Sequence, residues 1–273
     1  MFSILILTRN EEVNLPGCLR SVSWCDDVVV LDSKSTDRTR EIAREAGARV
    51  EERGFDNFGS QRNYAMEKIR FRHPWVFQLD ADEHFREELR KECERVMVKG
   101  EKSAYSVPNR IIFMGKWIKH CTQYPFPQVR FVKVGEVRFR QAGHGQALDW
   151  AQRGEGMIEA PYDHFNFSKG LGEWVNKHRH YAEQEAENTL RLQREPIDWG
   201  DLWGSDRLAR LRSMKKILVR LPGRAVAKFV YLYVICRGFL DGMPGLIYCG
   251  LQVYYELMIG AKVRDLRTRA TSR

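Results

Sequence analysis

The first hundred residues alternate short apolar runs with stretches of helical spacing, and no other feature narrows the fold so far. Residues 2–7, 28–31, 48–50 and 75–79 read as strands. Residues 15–22 read as a helix with Pro16 near its start, and Ser35-Thr36-Asp37 can cap a second whose Ile42, Ala43 and Ala46 form an apolar stripe ended by Gly47. Residues 59–69 have helical spacing, and 83–98 form a charged amphipathic helix ended by Gly100. Strands alternating with helices predict an α/β fold with a doubly wound, mostly parallel sheet. Ligands of such sheets bind beyond the carboxyl ends of the strands. Thr8, Asp32 and Asp80 each follow or close an apolar run, so they should converge on one crevice.

The pattern then changes. Short β-like pieces at 104–107, 111–113, 129–134 and 137–139, divided by Gly and Pro, predict antiparallel additions around the crevice. Residues 171–195 return to helical spacing. From residue 202 the chain offers basic helices and then an aromatic, apolar stretch, with a turn at 241–245 expected to break it into two helices. We expect a first domain over 1–200 and a helical C-terminal region over 201–273.

Charge separates these two parts. Residues 1–202 hold 31 basic and 32 acidic residues, whereas 203–273 hold 14 and 4, so the whole excess of +9 lies in the tail. A nucleic-acid enzyme would spread that charge over its main domain, so no nucleic-acid partner is expected. Basic residues flanking an apolar segment rich in Tyr231, Tyr233, Phe239, Tyr248, Tyr254 and Tyr255 suit an anionic membrane surface. A homo-oligomer interface or a packed helical subdomain is the alternative. The uncharged stretch 242–255 is shorter than the roughly 20 residues of a spanning helix. The six cysteines form no C-x-x-C pair and read as reduced cytosolic thiols, and the N-terminus lacks signal-peptide features.

Asp80-Ala81-Asp82-Glu83 follows the strand at 75–79. Two carboxylates at i and i+2 on a turn can reach one Mg2+ or Mn2+, which takes hard oxygen ligands and shares its site with substrate phosphates. A solvated acidic turn starting a helix is the plain alternative. Taken singly, residues 10–12 read equally as a helix cap, Arg62 as a surface cation and Asp32 as a turn-ending acid.

Taken together, Thr8-Arg9-Asn10-Glu11-Glu12, the stretch from Leu31 through Thr39, Gly59-Ser60-Gln61-Arg62-Asn63-Tyr64-Ala65 and the Asp80–Asp82 turn resemble a family 2 glycosyltransferase of the GT-A fold. Residues 124–131, His144, His164-Phe165 and 177–181 further resemble the bacterial lipopolysaccharide-core glucosyltransferase branch. The resemblance implies that Thr8, Asn10 and Glu11 line the base and ribose pocket, and that Asp32 accepts a hydrogen bond from uracil. It places Arg62 and Arg130 near the diphosphate or sugar. It makes Asp80 and Asp82 the DxD-type element, with His144 beside the metal. Gly145 stands where the pattern carries an acid. The base for the acceptor hydroxyl is therefore sought among Asp149, Glu155, Glu159 and Asp163, with Asp149 first because it is nearest in sequence to His144.

The implied activity is an inverting, metal-dependent transfer of a hexose, glucose first, from a UDP-sugar to a membrane glycolipid such as a lipopolysaccharide inner core. It would take place peripherally on the cytoplasmic face of a bacterial inner membrane. A polyprenyl-phosphate-linked acceptor is the near alternative. A nucleotidyltransferase would carry a Gly-rich basic loop where Thr8-Arg9-Asn10-Glu11-Glu12 stands. A non-catalytic membrane-binding protein would have no use for the set Thr8, Asp32, Arg62, Asp80 and Asp82.

Overall fold

The computed structural model describes residues 1–142, 145–203 and 206–271. Two compact units divide the chain: residues 1–119 with 123–170, and residues 120–122 with 171–273. The sequence places the boundary near 200; the units part thirty residues earlier because the helix at Gly170–Arg194 packs its small residues Ala182 and Ala186 against Ile259 and Val263 of the last helix.

Unit 1 is built on β1 (Ser3–Thr8), β2 (Val28–Asp32), β3 (Arg49–Glu52) and β4 (Trp75–Asp80), with α1 (Leu15–Ser21), α2 (Thr39–Glu45) and α3 (Phe58–Lys68) as crossovers. β5 (Glu83–His84), α4 (Glu87–Lys99), β6 (Ala104–Phe113), β7 (Lys116–Trp117), β8 (Pro127–Lys133), β9 (Val137–Ala142), β10 (Gly145–Ala151), β11 (Glu155–Met157) and β12 (Tyr162–His164) follow. The main sheet runs β3-β2-β1-β4-β8-β6-β12-β5, with β7 and β11 also on β6. β1 to β4 are mutually parallel, and β8 is antiparallel to both its neighbours. Ile and Val crowd β1 and β2, whose inward side chains suit a strand covered on both faces. Phe2, Phe77, Phe85 and Phe131 meet in edge or tilted contacts beneath the sheet. Each such ring contributes roughly 1.5–3 kcal/mol by burial.

Two local details shape the site. The helix expected from residue 83 begins at Glu87, because Glu83 and His84 pair instead with His164 and Asp163 of β12. The hairpin β9–β10 forms its own two-stranded sheet and lies against α3. Asn63 clamps it there, donating to the Phe139 carbonyl at 2.9 Å and accepting its N–H at 2.8 Å. Gly59 permits that approach, since a Cβ there would stand 2.9 Å from the Arg140 carbonyl carbon.

Unit 2 holds α5 (Gly170–Arg194), α6 (Arg207–Leu218), α7 (Arg224–Phe229) and α8 (Gly242–Thr271). The apolar stretch is divided into two helices as expected, but the break falls just before the expected turn, at residues 236–241; α8 starts at Gly242 and carries Pro244 within its first turn, where a missing N–H costs nothing. Among the described residues no single helix is long and apolar enough to cross a membrane; the pair 224–235 and 238–269 passes that test together, bent by 70°.

Candidate active site

Parallel register brings the strand ends level. Thr8 pairs with Asp32 across β1 and β2, and Leu7 pairs with Asp80 across β1 and β4. The loops that follow β1 and β2 then lace together. Asn10, at φ 55°, donates its N–H to Ser35 Oγ and accepts the Thr36 N–H, both at 2.8 Å. Glu11 N–H donates to Thr39 Oγ1 at 2.7 Å, and Glu12 N–H to Asp37 at 3.1 Å. Asp32 lies beneath this lacing, fully buried. It accepts from Thr8 Oγ1 at 2.9 Å, from the Ser35 N–H at 2.8 Å and from the Ser35 hydroxyl. The residues expected at a nucleotide base thus form one preorganised loop pair.

Beside them sits a buried charge network. Arg62, wholly buried, donates to Gln78 at 2.6 Å and to Asp80 Oδ1 at 3.1 Å. Arg130, also buried, donates to Asp80 Oδ2 at 2.8 Å, to Glu83 and to the Tyr162 hydroxyl at 3.2 Å. The remaining Glu83 oxygen accepts the Asp80 N–H at 2.9 Å. Burial opposes ionisation of Asp80, but Arg130 and Arg62 outweigh it and hold this carboxyl well below the usual range. Glu83 goes the other way: burial, helped by Asp80 and only partly offset by Arg130, raises it to about 7. Burial lowers Arg62 to about 10. The sequence sets Arg62 and Arg130 toward the diphosphate; both guanidiniums lie beneath Asp80 and keep it charged.

Asp82 reaches a different partner. Its carboxylate is 3.3 Å from His164 Nε2, and its carbonyl accepts the Phe165 N–H at 2.8 Å. Burial disfavours the His164 imidazolium, yet the Asp82 charge outweighs it and raises the imidazole above its ordinary value. His164 Nδ1 is buried with no hydrogen-bond partner among the described residues. No group of three or more His, Cys, Asp or Glu side chains is set to enclose a metal among the described residues. One carboxylate and one imidazole nevertheless fit a cation that draws its other ligands from substrate phosphates and water. His144 lies outside the described residues.

Lys169 closes the far side of the base loop, donating to Glu11 at 2.6 Å and to the Asn10 carbonyl at 2.7 Å. Burial raises the Glu11 carboxyl, against the pull of Lys169. Asp149 is not brought to this cluster. It is the extra residue of a bulge on β10, between Leu148 and Trp150, and its nearest cation is Arg140 at 3.9 Å. Asp163 is held by Arg86 and Arg110, and Glu155 by the Ser106 hydroxyl. Sequence reasoning leaves out Glu83, Tyr162, His164 and Lys169 as site residues. His164 had a signal as part of the His164-Phe165 segment, and Glu83 as the last residue of the Asp80–Glu83 turn, where it reads as a helix-start charge.

A crevice at the carboxyl ends of parallel strands, with laced loops on one side and paired carboxylates on the other, is a ligand site of the kind open α/β sheets carry, and the comparisons with known proteins make its class a GT-A glycosyltransferase. Residues 3–148, more than half of the chain, match the family described as "Glycosyl transferase family 2", and the chain belongs to that family. A relative from Rickettsia bellii (strain RML369-C), described as an uncharacterized glycosyltransferase, is 34% identical over 97% of this chain and 86% of its own length. The lipopolysaccharide core biosynthesis glycosyltransferase LpsC of Rhizobium meliloti (strain 1021) is 33% identical over a shorter stretch, 33% of this chain and 34% of LpsC. The mannosyltransferase PcManGT from Pyrobaculum calidifontis, solved with GDP-Man and Mn2+, shares the fold with a TM-score of 0.50 at 13% identity, over 93% of this chain and 87% of that one.

Proposed function

We propose that the chain transfers a hexose, glucose first, from a UDP-sugar to a membrane glycolipid such as a lipopolysaccharide inner core, with inversion and with Mg2+ or Mn2+. The observation that carries this is the alignment of Thr8, Asp32 and Asp80 by strand register, with Asp82 beside His164 one turn on. In this reading the loop pair at residues 8–11 and 32–39 receives the base and ribose, with Asp32 buried beneath it as the acceptor that holds Thr8 and Ser35 in place. Asp80 stays ionised between two arginines and takes a ribose hydroxyl. Asp82 and His164 would hold the cation, whose chemistry when bound is to neutralise charge gathering on the departing diphosphate. An inverting transfer also needs a carboxylate for the acceptor proton. Asp163 and Glu155 are held tightly by other side chains, so the base is drawn from the two exposed acids that could meet an acceptor from outside the charge cluster, Asp149 on the β10 bulge first and Glu159 second. The partial likeness to LpsC supports the glycolipid acceptor.

The test is turnover. The full chain is incubated with UDP-glucose, UDP-galactose, UDP-N-acetylglucosamine or GDP-mannose, with Mn2+ or Mg2+, and with a glycolipid or a polyprenyl-phosphate acceptor. We expect glycolipid-dependent release of UDP. Release of GDP in preference, or of pyrophosphate, would overturn the proposal.

A further inference from the structure

Unit 2 carries an apolar surface that its own helices leave uncovered. α7 runs on into a π-helical turn, Val230–Ile235, and a 3-10 turn at Gly238–Asp241 then leads into α8. The two arms meet at 70° around Arg237, whose φ is 60°. The inner side of this bend is tightly built. A Cβ on Gly238 would stand 2.7 Å from the Leu232 carbonyl oxygen, and one on Gly245 would stand 2.5 Å from the Gly238 oxygen. Asp241 is buried there and accepts the backbone N–H groups of His120 at 2.9 Å and Cys121 at 2.8 Å.

Apolar side chains along this bend nevertheless stay exposed. Val230, Val234, Ile235, Phe239, Leu240 and Met243 are 45–66% exposed within fourteen consecutive residues. Scattered apolar side chains are ordinary on a surface, but a run of six at one rigid bend marks an interaction site. Charge selects the partner. Residues 203–273 contain fourteen basic residues and four acids, and although Lys216 pairs with Glu195 and Arg224 with Glu256, cations remain in excess. Arg210, Arg212, Lys215 and Arg237 are exposed. A second copy of this surface would set cation against cation, whereas an anionic lipid leaflet offers phosphates to the cations and acyl chains to the apolar side chains.

We propose that the bend at 230–243 docks in the headgroup region of an anionic membrane, its exposed apolar side chains reaching the acyl boundary and the exposed cations meeting lipid phosphates. This goes beyond the transfer reaction and does not depend on it.

The full chain should float with vesicles of phosphatidylglycerol and phosphatidylcholine, and much less with phosphatidylcholine alone. Binding should fall as salt rises from about 0.05 M to about 0.5 M. V234D/I235D should weaken partitioning roughly tenfold or more, because two exposed apolar side chains would be replaced by charge. R210Q/R212Q/K215Q should weaken it and flatten its salt dependence. On the unmodified chain, hydrogen exchange should slow over 230–243 when anionic vesicles are added, a readout independent of how the variants fold. Unchanged exchange over 230–243, or equal binding by V234D/I235D, would overturn the proposal. So would a vesicle-free dimer that V234D/I235D converts to monomer, which would assign the surface to a second copy.

Discussion

Replacing Arg130 by Met should destabilise unit 1 more than any other single change at the site. The side chain is buried and its guanidinium serves Asp80, Glu83 and Tyr162 at once. Met fills much of the space but leaves the buried Glu83 carboxylate without its cation, beside a partly exposed Asp80 that keeps only Arg62. Removing one partner of a buried pair costs roughly 3–5 kcal/mol. At about 2–4 °C per kcal/mol for a domain of this size, the melting temperature should fall by about 10 °C. The deficit should also depend on pH. Arg130 pulls Glu83 down, so its loss moves this carboxyl above the value of about 7 it already has. A carboxyl raised above its unfolded pKa penalises the fold once it ionises: the penalty is absent below about 4.5 and grows as pH rises through the folded value. Arg130→Met should therefore be nearer to the parent at pH 5 than at pH 8. Adding Glu83→Gln should recover part of the loss, because the unpaired buried charge is gone. Thermal unfolding by circular dichroism at the two pH values measures all of this. A shift under about 2 °C, or a deficit larger at pH 5, would refute the buried network.

Asp82→Ala and His164→Ala should each abolish metal-dependent transfer, by about 100-fold or more in kcat, with melting temperatures changed by only a few degrees; steady-state kinetics and unfolding curves read both. Asp32→Ala should weaken donor affinity and also lower stability by roughly 1–3 kcal/mol, since the Ser35 N–H and the Thr8 and Ser35 hydroxyls lose their buried acceptor; calorimetry and denaturant titration separate the two effects. Asp149→Asn should lower kcat by about 100-fold with donor binding unchanged, whereas Glu159→Gln should leave kcat within a few-fold; the reverse pattern transfers the base to Glu159.

The parallel half of the fold and the level of the crevice are legible in the sequence because both are local. A short apolar run closed by a polar residue marks a buried strand and its end, and β1, β2 and β4 show it, closing on Thr8, Asp32 and Asp80. The buried network is not legible, for the opposite reason. Glu83 precedes two more acids at 87 and 88 and looks like a helix-start charge; only its pairing with His164, eighty-one residues on, turns it inward. Nothing marks Arg62 and Arg130 among 45 basic residues as the two whose guanidiniums are buried against Asp80. α5 hides its role similarly. Its charges suggest a solvated helix, while the stripe that packs it on α8 consists of small alanines.

Asp82 and His164 are proposed to hold a cation at a nucleoside-diphosphate site. Calorimetric binding of UDP to the full chain, with and without Mn2+, tests it most directly. Mn2+ should tighten UDP binding at least tenfold in the parent and have no such effect in Asp82→Ala, while GDP should bind more weakly than UDP under both conditions. Equal UDP affinity with and without the metal, or tightening that survives in Asp82→Ala, would contradict it.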